Sequence, residues 1–124
     1  MFIHYNPNPC GRAVGDCAVR AISKALNMTW EQAYDILTEF GKNMCDLPHA
    51  DWVWGAVLRS YGFERVVVPS TCPECYSAKE FCEDNPYGTF VLGFGGHCAT
   101  VVNGDIYDSW DSSNEVPQFV WCKM

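Results

Sequence analysis

Ala18, Ala21, Ile22, Ala25 and Leu26 recur three and four residues apart, the spacing of one helix face. That pattern predicts a first helix from Asp16 or Cys17 to about Leu26. A second begins at Thr29, where Thr29 and Gln32 form a capping-box pattern, with Gly41 as its stop. A third runs from about Ala50 to Tyr61, with Val53, Trp54, Val57, Leu58 and Tyr61 on its apolar positions and Gly62 at its end. Trp52 and Trp54 lie two residues apart and cannot share a helix face, so one of them is expected in the core.

The period then shortens. Glu64 to Val68 is β-branched and strand-like. The segment STCPECYS follows as a turn. Ser77 and Glu80 repeat the capping pattern and open a short helix that Pro86 closes. Thr89 to Phe94 and His97 to Val102 read as buried strands. Asn103-Gly104 is a two-residue hairpin signal, so Asp105 to Trp110 is expected to return antiparallel to the preceding strand. Pro117 to Cys122 makes a last strand. Residues 1–15, with their NPNPCGR string, are expected to be irregular. Helices come first and strands follow. The chain therefore reads as a single α+β domain over residues 1–124, N-terminal helices packed on a C-terminal antiparallel sheet.

Composition adds bounds. A chain of 124 residues with 48% hydrophobic positions can bury a core without crosslinks. A formal charge of −7 with no run of Lys or Arg argues against nucleic acid and anionic membrane as partners. The opening Met1-Phe2-Ile3-His4 leads into a polar, proline-rich segment and not an apolar leader. No apolar run reaches the roughly 18 residues of a membrane span. A cytoplasmic protein with mostly free thiols is the expectation, although there are eight cysteines.

One of these cysteines stands apart. In GDCAVRAI, Cys17 falls at the start of the first helix, where unpaired amides and the helix dipole favour a thiolate. A thiol nucleophile also needs a base and an oxyanion donor. The amide of Cys17 is one such donor. Of the three histidines, His4 lies in the N-terminal segment and His49 in a loop after Pro48. His97 follows Gly95-Gly96 and opens a strand, which makes it the best base on position. With a two-residue turn at Asn103-Gly104, Val102 pairs with Asp105 and His97 lies opposite about position 110. Asp108 has the same parity as that position and reaches His97 diagonally, whereas Asp111 has the opposite parity.

This order, a Cys at a helix start, a His opening a strand and an Asp on the next strand, resembles the papain-like cysteine peptidases. Asp108-Ser109-Trp110 is similar to the Asn-Ser-Trp of papain itself. GDCAVRAISKA with FGGHCATVVNGDIYDSWDS resembles small papain-like proteins of bacteria and phages, over roughly positions 6 to 122. The resemblance implies a papain-like fold with Cys17 as nucleophile, His97 as general base and Asp108 orienting His97. It implies a peptidase, isopeptidase, amidase or acyl transferase acting on a peptide, isopeptide or amide substrate, with no cofactor. Where papain carries its oxyanion glutamine, this chain has Gly11. Asn6, Asn8 or Arg12 would have to substitute, and Asn8 is preferred. Papain's extended substrate-binding second half has no counterpart here.

Other readings compete. A papain-like fold with an ordinary Cys17 would be an interaction module for a protein partner. Cys72-Pro73-Glu74-Cys75 is one half of a zinc ribbon whose second half the sequence lacks, with Cys10, Cys45 and Cys82 as the remaining ligand candidates. The same motif also fits a dithiol redox pair or a plain loop. Asp108, Asp111 and Glu115 in DSWDSSNEVP are spaced unlike a calcium loop and suit a solvated turn.

Overall fold

A computed structural model describes residues 1–69 and 75–123 of the chain. Among these residues it forms four helices and a six-stranded mixed sheet. In chain order these are β1 (Phe2–His4), α1 (Cys17–Leu26), α2 (Trp30–Asn43), α3 (Asp51–Ser60), β2 (Phe63–Val67), α4 (Ala78–Asp84), β3 (Thr89–Phe94), β4 (His97–Val102), β5 (Asp105–Asp108) and β6 (Phe119–Lys123). The strand order is β1-β5-β4-β3-β6-β2. The α+β class holds, and among the described residues no helix is long and apolar enough to cross a membrane.

The helix boundaries follow local chemistry. Thr29 accepts from the Gln32 amide, and the Gln32 side chain accepts from the Thr29 amide, closing the capping box of α2. Ser77 and Glu80 do the same for α4. The first helix ends at Asn27, which takes the left-handed conformation at φ 53°. Gly41 is not the stop of α2, which continues to Asn43. A Cβ there would lie 2.9 Å from the Asp46 carbonyl oxygen, so this glycine admits the loop that packs against the helix.

The sheet is mixed, not purely antiparallel. The antiparallel hairpins are as expected, with Val102 opposite Asp105 across the turn and Phe94 opposite His97. The N-terminal segment, expected to be irregular, supplies β1, which pairs in parallel with β5 at Phe2–Ile106, Ile3–Tyr107 and His4–Asp108. Its backbone groups satisfy the open edge of β5, and Phe2 packs against the second apolar cluster. The strand β5 ends at Asp108, two residues before Trp110, where the Asp108 carboxylate accepts from the Ser109 amide and turns the chain.

The two faces of the sheet bury different layers. Val91, Cys98, Phe119 and Trp121 face α1, α2 and α3, where Ile22, Leu37, Val53 and Leu58 are fully buried. Leu92, Ala99, Val101, Ile106 and Val120 face Ala78, Phe81 and Cys82 of α4. Trp54 enters the first layer and stacks on Phe119 at 5.7 Å, while Trp52 stays exposed. The Phe119 ring lies directly over Gly93, where a Cβ would overlap it. Gly93→Ala is expected to cost about 1–3 kcal/mol through this overlap, read as a lower urea midpoint at unchanged m-value.

Candidate active site

Three elements meet at the end of the sheet. The first turn of α1 brings Cys17, the start of β4 brings His97 and Cys98, and the end of β5 brings Asp108. The helix α1 is held on β4 by Thr100, whose hydroxyl donates to the Ala21 carbonyl at 2.7 Å. Cys17, His97, Cys98 and Trp110 line one hollow of about 470 Å3.

His97 Nε2 lies 2.6 Å from Asp108 Oδ2. That pairing leaves Nδ1 as the ring nitrogen for Cys17, which lines the same hollow. The ring is held between Trp110, at 4.8 Å, and Phe94, at 5.8 Å. Asp108 is 1% exposed and accepts from four directions. Its partners are His97, the Ser112 hydroxyl at 2.7 Å, the Ser109 amide at 2.7 Å and Arg20 Nη2 at 3.2 Å.

These contacts set the protonation states. The hydrogen bond from the Cys98 thiol is the largest influence on Cys17. The imidazole of His97 adds to it, and together they outweigh burial and bring the Cys17 pKa down to about 4. For His97, burial disfavours the charged ring. The hydrogen bonds to Asp108 and Cys17 outweigh it and raise the pKa to about 9. Burial likewise opposes the Asp108 charge, but His97 and Ser112 hold its carboxyl below the usual range. Cys98 donates to the Cys17 thiolate and is fully buried, so its own thiol is pushed well above the ordinary value and stays protonated. The pair is therefore thiolate and imidazolium across the neutral range.

A buried charge network continues beneath the site. Asp16 precedes Cys17 at the helix start, yet its carboxylate makes no capping bond. One oxygen pairs with Arg20 Nη1 and the other accepts from Trp30 Nε1 at 2.9 Å. Arg20, 5% exposed, thus bridges Asp16 to Asp108 and ties α1 to β5. Because Asp16 is engaged elsewhere, the first-turn amides of α1, that of Cys17 included, keep their N–H groups available for an oxyanion.

Cys17, His97 and Asp108 are the three sequence candidates that come together. Asn8 is not with them. Its Oδ1 accepts from the Cys10 amide at 2.9 Å, and it lines a neighbouring hollow and not the one that holds Cys17. Asp111 is exposed and accepts from Ser113. Arg20, Asp16, Cys98 and Ser112 were not singled out in the sequence. The signal for Arg20 lay three residues after Cys17, on the same helix face, and four after Asp16, at ion-pair spacing.

Of the cysteine motif, Cys72 lies outside the described residues and Cys75 is exposed. Among the described residues, no three or more His, Cys, Asp or Glu side chains converge to hold a metal ion, and seven cysteines are free.

No family model, no curated protein and no solved structure matches this chain.

Proposed function

We propose that this chain is a papain-like thiol hydrolase or acyl transferase acting on an amide, peptide or isopeptide bond. The observation that carries it is the Cys17–His97–Asp108 line, half-buried at Cys17 and His97 and fully buried at Asp108, in which an acidic thiol faces a histidine held by a carboxylate. The Cys17 thiolate adds to the substrate carbonyl, and the Cys17 amide donates to the oxyanion. The His97 imidazolium gives its Nδ1 proton to the leaving amine, the carbon–nitrogen bond breaks and a Cys17 thioester remains. Neutral His97 then takes a proton from water, or from an acceptor amine, as that nucleophile attacks the thioester and releases the thiolate. Asp108 holds the ring and its charge through Nε2. The free thiols among the described residues fit a reducing compartment, and the cytoplasm is the location proposed.

The test is acyl-enzyme trapping. Reduced protein mixed with p-nitrophenyl acetate at pH 5 is expected to carry one acetyl group, on the Cys17 peptide, and to release it with turnover. Acetyl spread over several cysteines, or none on Cys17, would point to the interaction module instead.

A further inference from the structure

A second hollow, of about 400 Å3, adjoins the one that holds Cys17. Val14, Gly15 and His49 line both. Its wall is an aromatic pair, Trp30 and Tyr34, stacked at 5.1 Å and 26°, and Leu37 is fully buried behind it. Tyr34 and Val14 leave 47% and 38% of their surface to solvent, an open apolar surface beside a nucleophile. The wall is also rigid, because the Trp30 indole N–H is tied to the buried Asp16 carboxylate. A preformed apolar hollow with a few fixed polar groups is the usual form of a binding site.

Gly15 is one of the three residues on the border of the two hollows. Its φ is outside the left-handed range, so its backbone conformation is open to any residue, and a Cβ there would meet nothing within 4 Å. Neither backbone geometry nor packing requires glycine at this point. A side chain here would stand in open space on the border that the two hollows share.

Resting on the thiol-acyl chemistry proposed above, we infer that the second hollow receives a bulky apolar side chain, best an aromatic one, of the molecule whose carbonyl Cys17 attacks. The occupant belongs to the same substrate because the hollows share a border, Val14, Gly15 and His49 lining both. An aromatic ring suits the Trp30–Tyr34 wall by offset stacking. Leu37 supplies the apolar floor that a charged side chain would have to be desolvated against.

The test uses two electrophiles that differ only in an apolar tail, chloroacetamide and N-(2-phenylethyl)chloroacetamide. Each alkylation rate of Cys17 in the full chain is read by peptide mass spectrometry at pH 5.5. The rate ratio is normalised to the ratio that glutathione gives with the same pair. Burying the phenyl group is expected to favour the longer reagent at Cys17 about ten-fold or more. Gly15→Leu, which adds bulk on the shared border, and Tyr34→Ser, which removes an exposed wall, are both expected to bring the ratio back toward one. A ratio near one in the unaltered chain overturns the subsite while Cys17 is still selectively alkylated. A ratio that neither substitution changes overturns it as well. If Cys17 is no more reactive than the other thiols toward chloroacetamide itself, the thiolate reading falls, and the subsite with it.

Discussion

With His97 replaced by alanine, turnover of an acyl group through Cys17 is expected to fall by about 10²–10⁴-fold, the usual contribution of a positioned acid–base group. Alkylation should respond differently, and the contrast identifies the role. At pH 5.5 the unaltered Cys17, with its pKa at about 4, is almost wholly thiolate. The substitution removes one of its two hydrogen-bonding side chains and the imidazolium charge, so the midpoint of the pH–rate profile should move upward. It should stop short of the ~8.5 of a free thiol, because Cys98 still donates to the sulfur. Adding Cys98→Ala should move it further up, with only the backbone N–H of residue 98 left to donate to the sulfur. The fall in alkylation rate will be smaller than the fall in thiolate fraction, since a more basic thiolate is intrinsically more nucleophilic. The check is the alkylation profile of the Cys17 peptide from pH 3.5 to 9 in the three proteins. A midpoint unmoved by His97→Ala would rule out the thiolate–imidazolium pair.

The same pair fixes a stability profile. Cys17 is depressed on folding, so its contribution is complete above the unfolded thiol value of ~8.5 and is lost as pH falls through about 4. His97 is raised, so its contribution is complete below the unfolded value of ~6.5 and is lost as pH rises through about 9. Between ~6.5 and ~8.5 the two slopes oppose each other, and from there to about 9 only the histidine slope acts. Between 4 and ~6.5 only the cysteine slope acts, and stability from this pair climbs with pH. Cys17→Ala should flatten that climb in urea midpoints taken at pH 4.5 and 6.5.

Replacing Arg20 by methionine is expected to destabilise the fold by about 3–5 kcal/mol, because it leaves Asp16 and Asp108 buried without their common counter-ion. The loss is electrostatic and not a matter of volume. Arg20→Met combined with Asp16→Asn should therefore recover part of it, by a coupling that the double-mutant cycle measures. Lysine is a poor substitute, since a single ammonium lacks the planar fork that reaches two carboxylates. In Arg20→Met, Asp108 also loses a cation that competes with His97 for its charge. The upper limb of the pH profile, set by His97, should then move to higher pH. Equal midpoints for Arg20→Met and the unaltered chain in urea would remove Arg20 from the structural account.

The hairpin was the most legible part of the site. Asn103-Gly104 takes the positive φ angles of a tight turn, 50° and 80°, which sets Val102 opposite Asp105 and brings Asp108 within reach of His97. Local rules of this kind, with the two capping boxes and the helical spacings, placed α1, α3, α4 and the start of α2. What they missed depends on contacts distant in sequence. The three residues of β1 carry no pattern of their own, and they become a strand because β5 offers an unpaired edge. Arg20 reads as a polar interruption of an apolar helix until α1 docks and Asp108, 88 residues away, appears beside it. Cys98 looks like one more buried cysteine until α1 sets Cys17 against its thiol. Gly41 carries the ordinary signature of a helix stop, and packing against the following loop overrides it.

The division of the site between α1 and the strands β4 and β5 bears on how the chain matures. A ribosome delivers Cys17 long before His97, Cys98 and Asp108, so the nascent chain carries a thiol with no partner to ionise it. Only when the last strands are made and the helix settles on them does the sulfur become acidic. Biogenesis thus orders the chemistry: reactivity arrives with completed folding, and a truncated or stalled product holds a cysteine no more aggressive than its neighbours.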